Sequence, residues 1–396
     1  MKAALQTALV LGLLPLNAYE LHEWGTFTTV SGSDGSLLAG LEREEEHLPS
    51  YVHHHPGFDQ PPHLDGFPFM RGKRMPIPVA NVKVKMETPV VYFHSDEAFS
   101  AKVNVGFNGG TISQWYPERS GGEQILRTDP ESGKPLPFLD FAKPYSGSIE
   151  WQIDVLSPAE SRKTPLYNPL DLLQWTYSRV PEANTVRTEA GTTEGFLFYR
   201  GLGSFDPGFV TRVTPDETLH LENQTGGAIP YTLVYERNAD GTSRWFEAGG
   251  IDESSTTSIA TSAFKSRPVG FDVELFKTLS KNLAAQGLLE SEAEAMVKTW
   301  WKSYFEKPGL RVFWVLPQEK TDAILPLSVD PAPDKTVRIM VGRSEVIRHK
   351  QEREWLKMAT SDNKDEVGAW SSLIHSDRFG LAYSQRIQAL QAQAKK

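Results

Sequence analysis

The sequence contains no cysteine among its 396 residues. This absence excludes disulfides, thiolate nucleophiles, cysteine-ligated zinc and thiol redox chemistry. A chain of this length must therefore gain its stability by burying apolar surface in a sizeable core. Long apolar runs are also scarce. The longest, AALQTALVLGLLPL near the N-terminus, is shorter than the roughly 20 residues that span a bilayer.

That N-terminal run is typical of a secretory signal. Lys2 supplies a short positive region, Ala3 to Leu16 form the apolar segment, and Ala18 places a small residue at the expected cut. We expect residues 1–18 to be a signal peptide and the mature chain to be periplasmic or secreted, with no integral membrane span. The alternative is a retained membrane anchor, for which the run is short.

Basic residues are fewer than acidic ones, 41 against 50, so the net charge is −9. This balance argues against nucleic acid or an anionic membrane as the main partner. The sequence also lacks HExxH, GxSxG, a P-loop and a GxGxxG that opens a helix after a strand. Whether the protein is an enzyme is therefore left open.

Most of the chain has the pattern of short strands. AKVNVGF and TISQWYP flank an Asn-Gly-Gly turn and predict a β-hairpin, while GSIEWQIDVL alternates apolar and polar residues. Residues 19–265 are therefore predicted to form an antiparallel sandwich or jelly-roll-like region.

Residues 266–396 combine helices with returning strands. Residues 271–285 and 290–305 have helical periodicity and predict an inserted helical hairpin. Strands return between 310 and 347, and the tail from Gln351 is predicted to be a C-terminal helix. The expected fold class is mainly β, and α+β overall.

Histidine is concentrated near the N-terminus. YVHHHPGFDQPPHLDG contains His53, His55, His63 and Asp65, and His94 follows. In an extended chain His53 and His55 face the same way, and imidazole is the commonest metal ligand. These residues are candidate ligands for a divalent transition metal. The alternative is a solvated loop that binds transition metals only weakly.

The stretch LHEWGTFTTV places His22 beside Glu23 at the start of a predicted strand. Neighbouring strand residues point to opposite faces, so these two side chains cannot both bind one ion without a bulge. His22 is a further candidate ligand if His94 or the His-rich loop meets it. The alternative is a buried histidine that donates to a backbone carbonyl beside Trp24.

Two other residues are candidate ligand-binding positions. Arg200 lies within the apolar run FLFYRGLG, where a buried guanidinium needs an anionic partner. That partner is either structural, such as Glu194 or Asp206, or a carboxylate or phosphate ligand. Trp115 is either a platform for a sugar ring or a core residue. Small molecules, carbohydrates and envelope proteins remain open as partners.

Several segments together carry a resemblance: LHEWGTFT, METPVVYFHS, ISQWYP, GFLFYRGLGSF, SEAEAMVKTWWKSYFE, RVFWVLP, TDAILPLSV and VRIMVGRSEVI. The chain resembles a family of uncharacterised exported bacterial proteins that open on an HEWGTFT motif. The resemblance extends from His22 to about Ile347 and implies a shared fold and export, with no activity attached.

The leading hypothesis is an exported soluble protein with a metal or ligand site built from N-terminal histidines. The alternatives are a non-catalytic carbohydrate- or protein-binding envelope module and a metal-dependent hydrolase.

Overall fold

The structure is a computed structural model that describes residues 18–55, 58, 79–125 and 139–394. Strands account for 37% and helices for 25%, with large antiparallel sheets, so the predicted α+β class is confirmed. None of the helices in this part of the chain has the length and apolar character that crossing a membrane requires. Two of the predicted ligands, His63 and Asp65, and the predicted signal segment up to residue 17 lie outside the described residues.

The described strands are numbered in chain order. They are β1 (Tyr19–Ser31), β2 (His53–His54), β3 (Val79–Ala80), β4 (Val84–Met86), β5 (Val90–Ser95), β6 (Phe99–Asn108), β7 (Gly110–Tyr116), β8 (Gly121–Gly122), β9 (Leu139–Asp140), β10 (Ser146–Val155), β11 (Val186–Thr188), β12 (Thr193–Glu194), β13 (Leu197–Gly203), β14 (Phe209–Val213), β15 (Thr218–Asn223), β16 (Thr232–Arg237), β17 (Ser243–Glu247), β18 (Thr256–Ala260), β19 (Lys265–Arg267), β20 (Gly309–Leu316), β21 (Leu327–Asp330) and β22 (Lys335–Val346).

The helices of the same residues are numbered likewise. They are α1 (Pro158–Ser161), α2 (Leu173–Tyr177), α3 (Val273–Ala285), α4 (Glu290–Trp300), α5 (Gln318–Ile324), α6 (His349–Ala359), α7 (Lys364–Ser376) and α8 (Gly380–Ala394). A short 3₁₀ turn covers Thr261–Ala263, and a π-helical turn covers Trp301–Phe305 directly after α4.

Strand β1 lies near the middle of the largest sheet. The strand order is β19-β17-β16-β20-β22-β1-β4-β13-β7-β2, and β5 pairs with both β1 and β13. Strand β1 runs parallel to β22 from Glu20, opposite Lys335, to Ser31, opposite Val346. The sheet therefore takes strands from both of the regions predicted from sequence. Because it is covered on both faces, almost all of β1 is buried.

One face of this sheet packs against further strands. The second sheet has the order β12-β11-β10-β6-β21 and the third β14-β15-β18. Leu21 and Phe27 of β1 share one apolar cluster with Trp151 of β10 and Leu221 of β15. The alternation predicted for residues 147–156 therefore buries its apolar face between sheets, as expected of a sandwich.

The other face of the sheet is covered by the predicted helical hairpin. Helices α3 and α4 pack together, and Gly287 joins them with a positive φ of 117°. Met296 and Trp300 of α4 contribute to the same apolar cluster as Trp24 of β1. His22 and Trp24 therefore face the hairpin, whereas Leu21 and Glu23 face the sandwich.

The predicted C-terminal helix is divided into three helices, α6, α7 and α8. Asn363 caps the start of α7 by accepting a hydrogen bond from the Asp365 backbone N–H at 2.8 Å. The breaks allow the tail to fold back, and Trp355, Trp370 and Ile387 bury against one another and against β1.

Candidate metal centre

Three metal-type donors meet where β1, β5 and α4 converge. In the antiparallel pair of β1 and β5, His22 lies opposite Tyr92, and His94 is two residues further along on the same face. Helix α4 begins above this face and places Glu292 in its first turn. One donor atom from each of His22, His94 and Glu292 lies within 4.8 Å of the others, so the group can hold a metal ion.

The carboxylate of Glu292 bridges the two imidazoles. Its Oε2 lies 2.8 Å from His22 Nδ1, and its Oε1 lies 2.8 Å from His94 Nε2. Glu292 has no exposed surface and His22 is 2% exposed. The side chain of His94 is 15% exposed, so the group is reached from solvent on the His94 side.

The remaining imidazole nitrogens also face oxygen atoms. His22 Nε2 lies 3.4 Å from Glu20 Oε2, and His94 Nδ1 lies 3.2 Å from the carbonyl oxygen of Glu182. A neutral imidazole carries only one N–H and can donate to only one of two such oxygen atoms. Both contacts of each ring are satisfied when the ring carries a second proton, or when one of its nitrogens binds a cation and the other donates its N–H.

Glu292 is held in its ionised form. Burial raises the pKa of its carboxyl, but the hydrogen bonds from His22 and His94 outweigh this effect and bring the pKa down to about 2. The backbone N–H of Leu289 also donates to Oε2 at 2.9 Å. Glu292 thus caps α4 as well, and this structural role is the alternative to metal binding.

The other predicted histidines lie elsewhere on the sheet. His53 and His55 lie in or directly after β2, which pairs with β7 at the edge of the sheet. Four strand steps separate β2 from β1, about 19 Å at the usual strand spacing. Burial, followed by the positive charge of Arg119, lowers the pKa of His55 to about 4. Within the described ranges these two histidines belong to no group of three metal-type donors.

Sequence reasoning did not include Glu292. Its position in the sequence indicates a buried carboxylate, because Glu292 lies on the same helical face as Met296 and Trp300, four and eight residues later. A carboxylate on an otherwise apolar stripe needs a buried partner. That requirement, together with His22, could have identified it.

Arg200 is buried and paired within the protein. Its Nη1 donates to Glu44 Oε2 at 2.9 Å, and its Nε donates to the carbonyl oxygen of Glu87 at 2.8 Å. The structural pairing considered from sequence is therefore present, with Glu44 as the partner in place of Glu194 or Asp206. Glu194 pairs instead with Arg179, whose Nη2 lies 2.8 Å from Glu194 Oε2.

Arg200 belongs to a larger buried group, the ionic cluster, whose other members are Glu44, Glu45, Lys85, Glu87 and Arg343. Lys85 Nζ lies 3.5 Å from Glu44 and 3.4 Å from Glu87, while Arg343 pairs with Glu45. Burial raises the pKa of Glu87 to about 7, although the positive charge of Lys85 opposes the rise. The chain thus carries a second concentration of buried charge outside the metal centre.

Trp115 is enclosed by polar neighbours. Its side chain is 7% exposed, the guanidinium of Arg119 lies 4.3 Å from the ring centroid, and the ring of His55 packs at 5.0 Å. Little of the indole face is left for a sugar ring.

No protein-family model matches the chain, and no curated protein matches it. Among solved structures it is similar to the yeast delta-COP-I mu-homology domain, complexed with a Dsl1 WxWxV peptide or free. Both matches are 8% identical and cover 84% of this chain and 100% of the other, with TM-scores of 0.28 and 0.27. Such scores lie below those of chains that share a fold, so function is argued from the site.

Proposed function

We propose that this protein is an exported protein that holds one divalent transition-metal ion of the zinc class. The ligands are His22 Nδ1, His94 Nε2 and a carboxylate oxygen of Glu292. One observation carries the proposal: both nitrogens of both imidazoles face oxygen atoms, which is one contact more than the single N–H of a neutral ring satisfies.

The donor set favours zinc over magnesium or calcium. Two imidazoles and one carboxylate form a combination that zinc uses, whereas the two hard cations prefer oxygen ligands. Zinc bonds of about 2.0–2.1 Å at tetrahedral angles separate neighbouring donor atoms by roughly 3.3 Å. In the structure His22 Nδ1 and His94 Nε2 each lie 2.8 Å from a different oxygen of Glu292, about 0.5 Å short of that separation, so the donors move apart to admit the ion.

The outer contacts are those that orient metal-binding histidines. With its Nδ1 on the ion, His22 donates its Nε2–H to Glu20, and His94 donates its Nδ1–H to the carbonyl of Glu182. Such outer acceptors fix the tautomer of each ring and strengthen the ligand. The ion competes with protons for the two ring nitrogens, so its affinity falls when the pH is lowered.

A metal-dependent hydrolase is the second candidate function. Three protein ligands leave a fourth position for water, as in catalytic zinc sites, and the partial exposure of His94 gives access to it. Hydrolysis of activated carboxylic and phosphate esters by the zinc-loaded protein tests this activity. Turnover that is the same in the wild type and in His94→Ala excludes it.

Metal content tests the main proposal. The chain is purified without a polyhistidine tag, equilibrated with zinc at pH 7.5 and freed of excess, and its zinc is measured by mass spectrometry. We expect about one equivalent of zinc in the wild type and far less in His22→Ala and Glu292→Gln, because each variant lacks one of the three ligands. Circular dichroism confirms that each variant is folded.

The matched control is the double variant His53→Ala/His55→Ala. It removes the two predicted ligands of the His-rich loop and leaves the metal centre untouched, so it should retain one equivalent. A wild type without zinc contradicts the proposal. Loss of zinc in the double variant, with retention in Glu292→Gln, moves the site to the loop.

The export part of the proposal has its own measurement. Strand β1 begins at Tyr19, directly after the predicted cut, and the Tyr19 nitrogen lies 3.0 Å from Asp334 Oδ2. Cleavage after Ala18 turns this nitrogen into an ammonium group paired with a carboxylate. N-terminal sequencing of protein expressed from the full chain should find Tyr19 first, within a few residues. A protein that retains Lys2 and stays inside the cell contradicts export.

A further inference from the structure

A pocket of about 390 Å³ opens on the face of β1 opposite the metal centre. Leu21, which alternates with His22 along the strand, contributes to its wall together with Pro326, Leu327 and Val329. The volume is within the range of small-molecule sites, and such sites combine apolar walls with a few polar groups. The polar groups of this pocket determine which charge its ligand carries.

Arg338 lines the pocket and connects it to a buried charged network behind it. Arg338 Nε donates to Glu23 Oε2 at 2.7 Å, and its Nη2 approaches the same oxygen to 2.6 Å. Tyr199 donates its hydroxyl to Glu23 Oε1 at 2.6 Å. Burial, and then the negative charge of Glu23, keep the pKa of Tyr199 well above its usual value, so the hydroxyl remains a donor.

The last contact of the network lies at the pocket surface. Arg338 Nη1 donates to Asp322 Oδ1 at 2.7 Å, and Asp322 stands on α5. The side chain of Asp322 is 49% exposed, whereas that of Arg338 is 2% exposed and Glu23 is fully buried. The charge that a ligand meets is therefore a carboxylate, and the three groups together carry one net negative charge.

We propose that this pocket binds an organic cation, an ammonium group carried on a short apolar body. The ammonium contacts Asp322, whose Oδ2 is not used by Arg338, and the apolar body lies against Leu21, Leu327 and Val329. An anion is disfavoured because the exposed charge is the Asp322 carboxylate, whereas the Arg338 side chain is 2% exposed and pairs with Glu23 and Asp322. The site uses none of the proposed metal ligands and stands apart from the proposed function.

Three probes of equal chain length test the proposal on the full-length protein. Binding of hexylamine, hexanol and hexanoate is measured by isothermal titration calorimetry at pH 7.5. We expect hexylamine to bind about threefold more tightly than either of the others, because the carboxylate that distinguishes the probes is half exposed. Asp322→Asn should weaken hexylamine about threefold and leave hexanol unchanged, because only the charge is removed.

Control variants separate charge from fold. Glu319→Gln removes an exposed carboxylate from the same helix, outside the pocket, and should leave hexylamine affinity unchanged. Asp322→Glu keeps the charge and should keep the preference for hexylamine. His22→Ala should lose zinc and still bind hexylamine. Equal affinity of the three probes, or equal hexylamine affinity in the wild type and Asp322→Asn, overturns the proposal, and so does an absence of hexylamine binding at millimolar concentration.

Discussion

The imidazole rings of His22 and His94 lie 4.6 Å apart at their centroids, and each contacts a different oxygen of Glu292. The two histidines are brought together by the pairing of β1 with β5, and the carboxylate arrives from α4 across the packed face of the sheet. The donor set therefore exists only when strand pair and hairpin are both folded. Metal binding at such a site is coupled to folding.

Zinc should consequently stabilise the folded protein. An ion that binds only the folded state adds about 2.7 kcal/mol to the free energy of unfolding at a concentration 100 times its Kd. Urea unfolding at pH 7.5, with and without zinc, measures this gain. Glu292→Gln should show almost none of it, and equal gains in the wild type and this variant would contradict the assignment.

In the metal-free protein, Glu292→Ala should lower the free energy of unfolding by about 3–5 kcal/mol. It leaves His22 and His94 without their buried carboxylate and removes the cap on the Leu289 N–H. The matched control is Glu294→Ala on the same helix, whose half-exposed ion pair with Lys298 contributes about 0.5 kcal/mol. Urea unfolding compares the two variants. Equal losses of unfolding free energy would mean that the buried contacts of Glu292 stabilise the protein no more than a surface ion pair does.

Acid should weaken the metal-free protein through the same carboxyl. The pKa of Glu292 is about 2 in the folded state against 4.5 for the unperturbed group. Its contribution to stability is therefore complete above pH 4.5 and is lost as the pH falls towards 2. Urea unfolding from pH 5 to pH 2.5 should show a steeper decline for the wild type than for Glu292→Gln. Parallel declines would show that the contacts with His22 and His94 do not hold the pKa down.

Local patterns predicted part of this site. Strand alternation placed His22 and Glu23 on opposite faces, and in the structure His22 contacts Glu292 whereas Glu23 pairs with Arg338. The helical period of residues 290–305 predicted the buried stripe that carries Met296 and Trp300. Both predictions depend only on geometry within one element.

The sequence did not predict which distant strands and side chains pair. The parallel register of β1 with β22 joins residues near opposite ends of the chain, and no local pattern specifies it. Arg200 illustrates the consequence, because its need for an anion was evident whereas its partner Glu44 comes from a loop far away in sequence. Nearby carboxylates such as Glu194 and Asp206 were the natural candidates. Chain distance is a poor guide to which charges meet in a core.

Glu87 should give the opposite pH dependence to Glu292. Burial raises its pKa to about 7 in the folded state, above the 4.5 of the unperturbed group, so the folded protein holds a proton that the unfolded chain releases. The contribution of this carboxyl to the free energy of unfolding is therefore complete below pH 4.5 and is lost as the pH rises through 7. Urea unfolding between pH 4.5 and 8 should show a flatter profile for Glu87→Gln. An unchanged slope would mean that Glu87 remains ionised beside Lys85.

Removal of Arg200 should expose the coupling inside the ionic cluster. Arg200→Met leaves the Glu44 carboxylate without its 2.9 Å contact and should cost about 3–5 kcal/mol of unfolding free energy. The double variant Arg200→Met/Glu44→Leu should lose less than the sum of the single variants, by about 0.5–3 kcal/mol, because it removes both charges together.

The exposed pair of Arg187 and Asp154, joined at 3.0 Å, provides the comparison for this double-mutant cycle. Both side chains are nearly half exposed, so water replaces either partner and the cycle of Arg187→Met and Asp154→Leu should be additive within about 0.5 kcal/mol. Urea unfolding at pH 7 measures both cycles. Additivity in the Arg200 cycle as well would show that the buried contact of Glu44 is worth no more than a surface ion pair, and that the cluster is held by its other members.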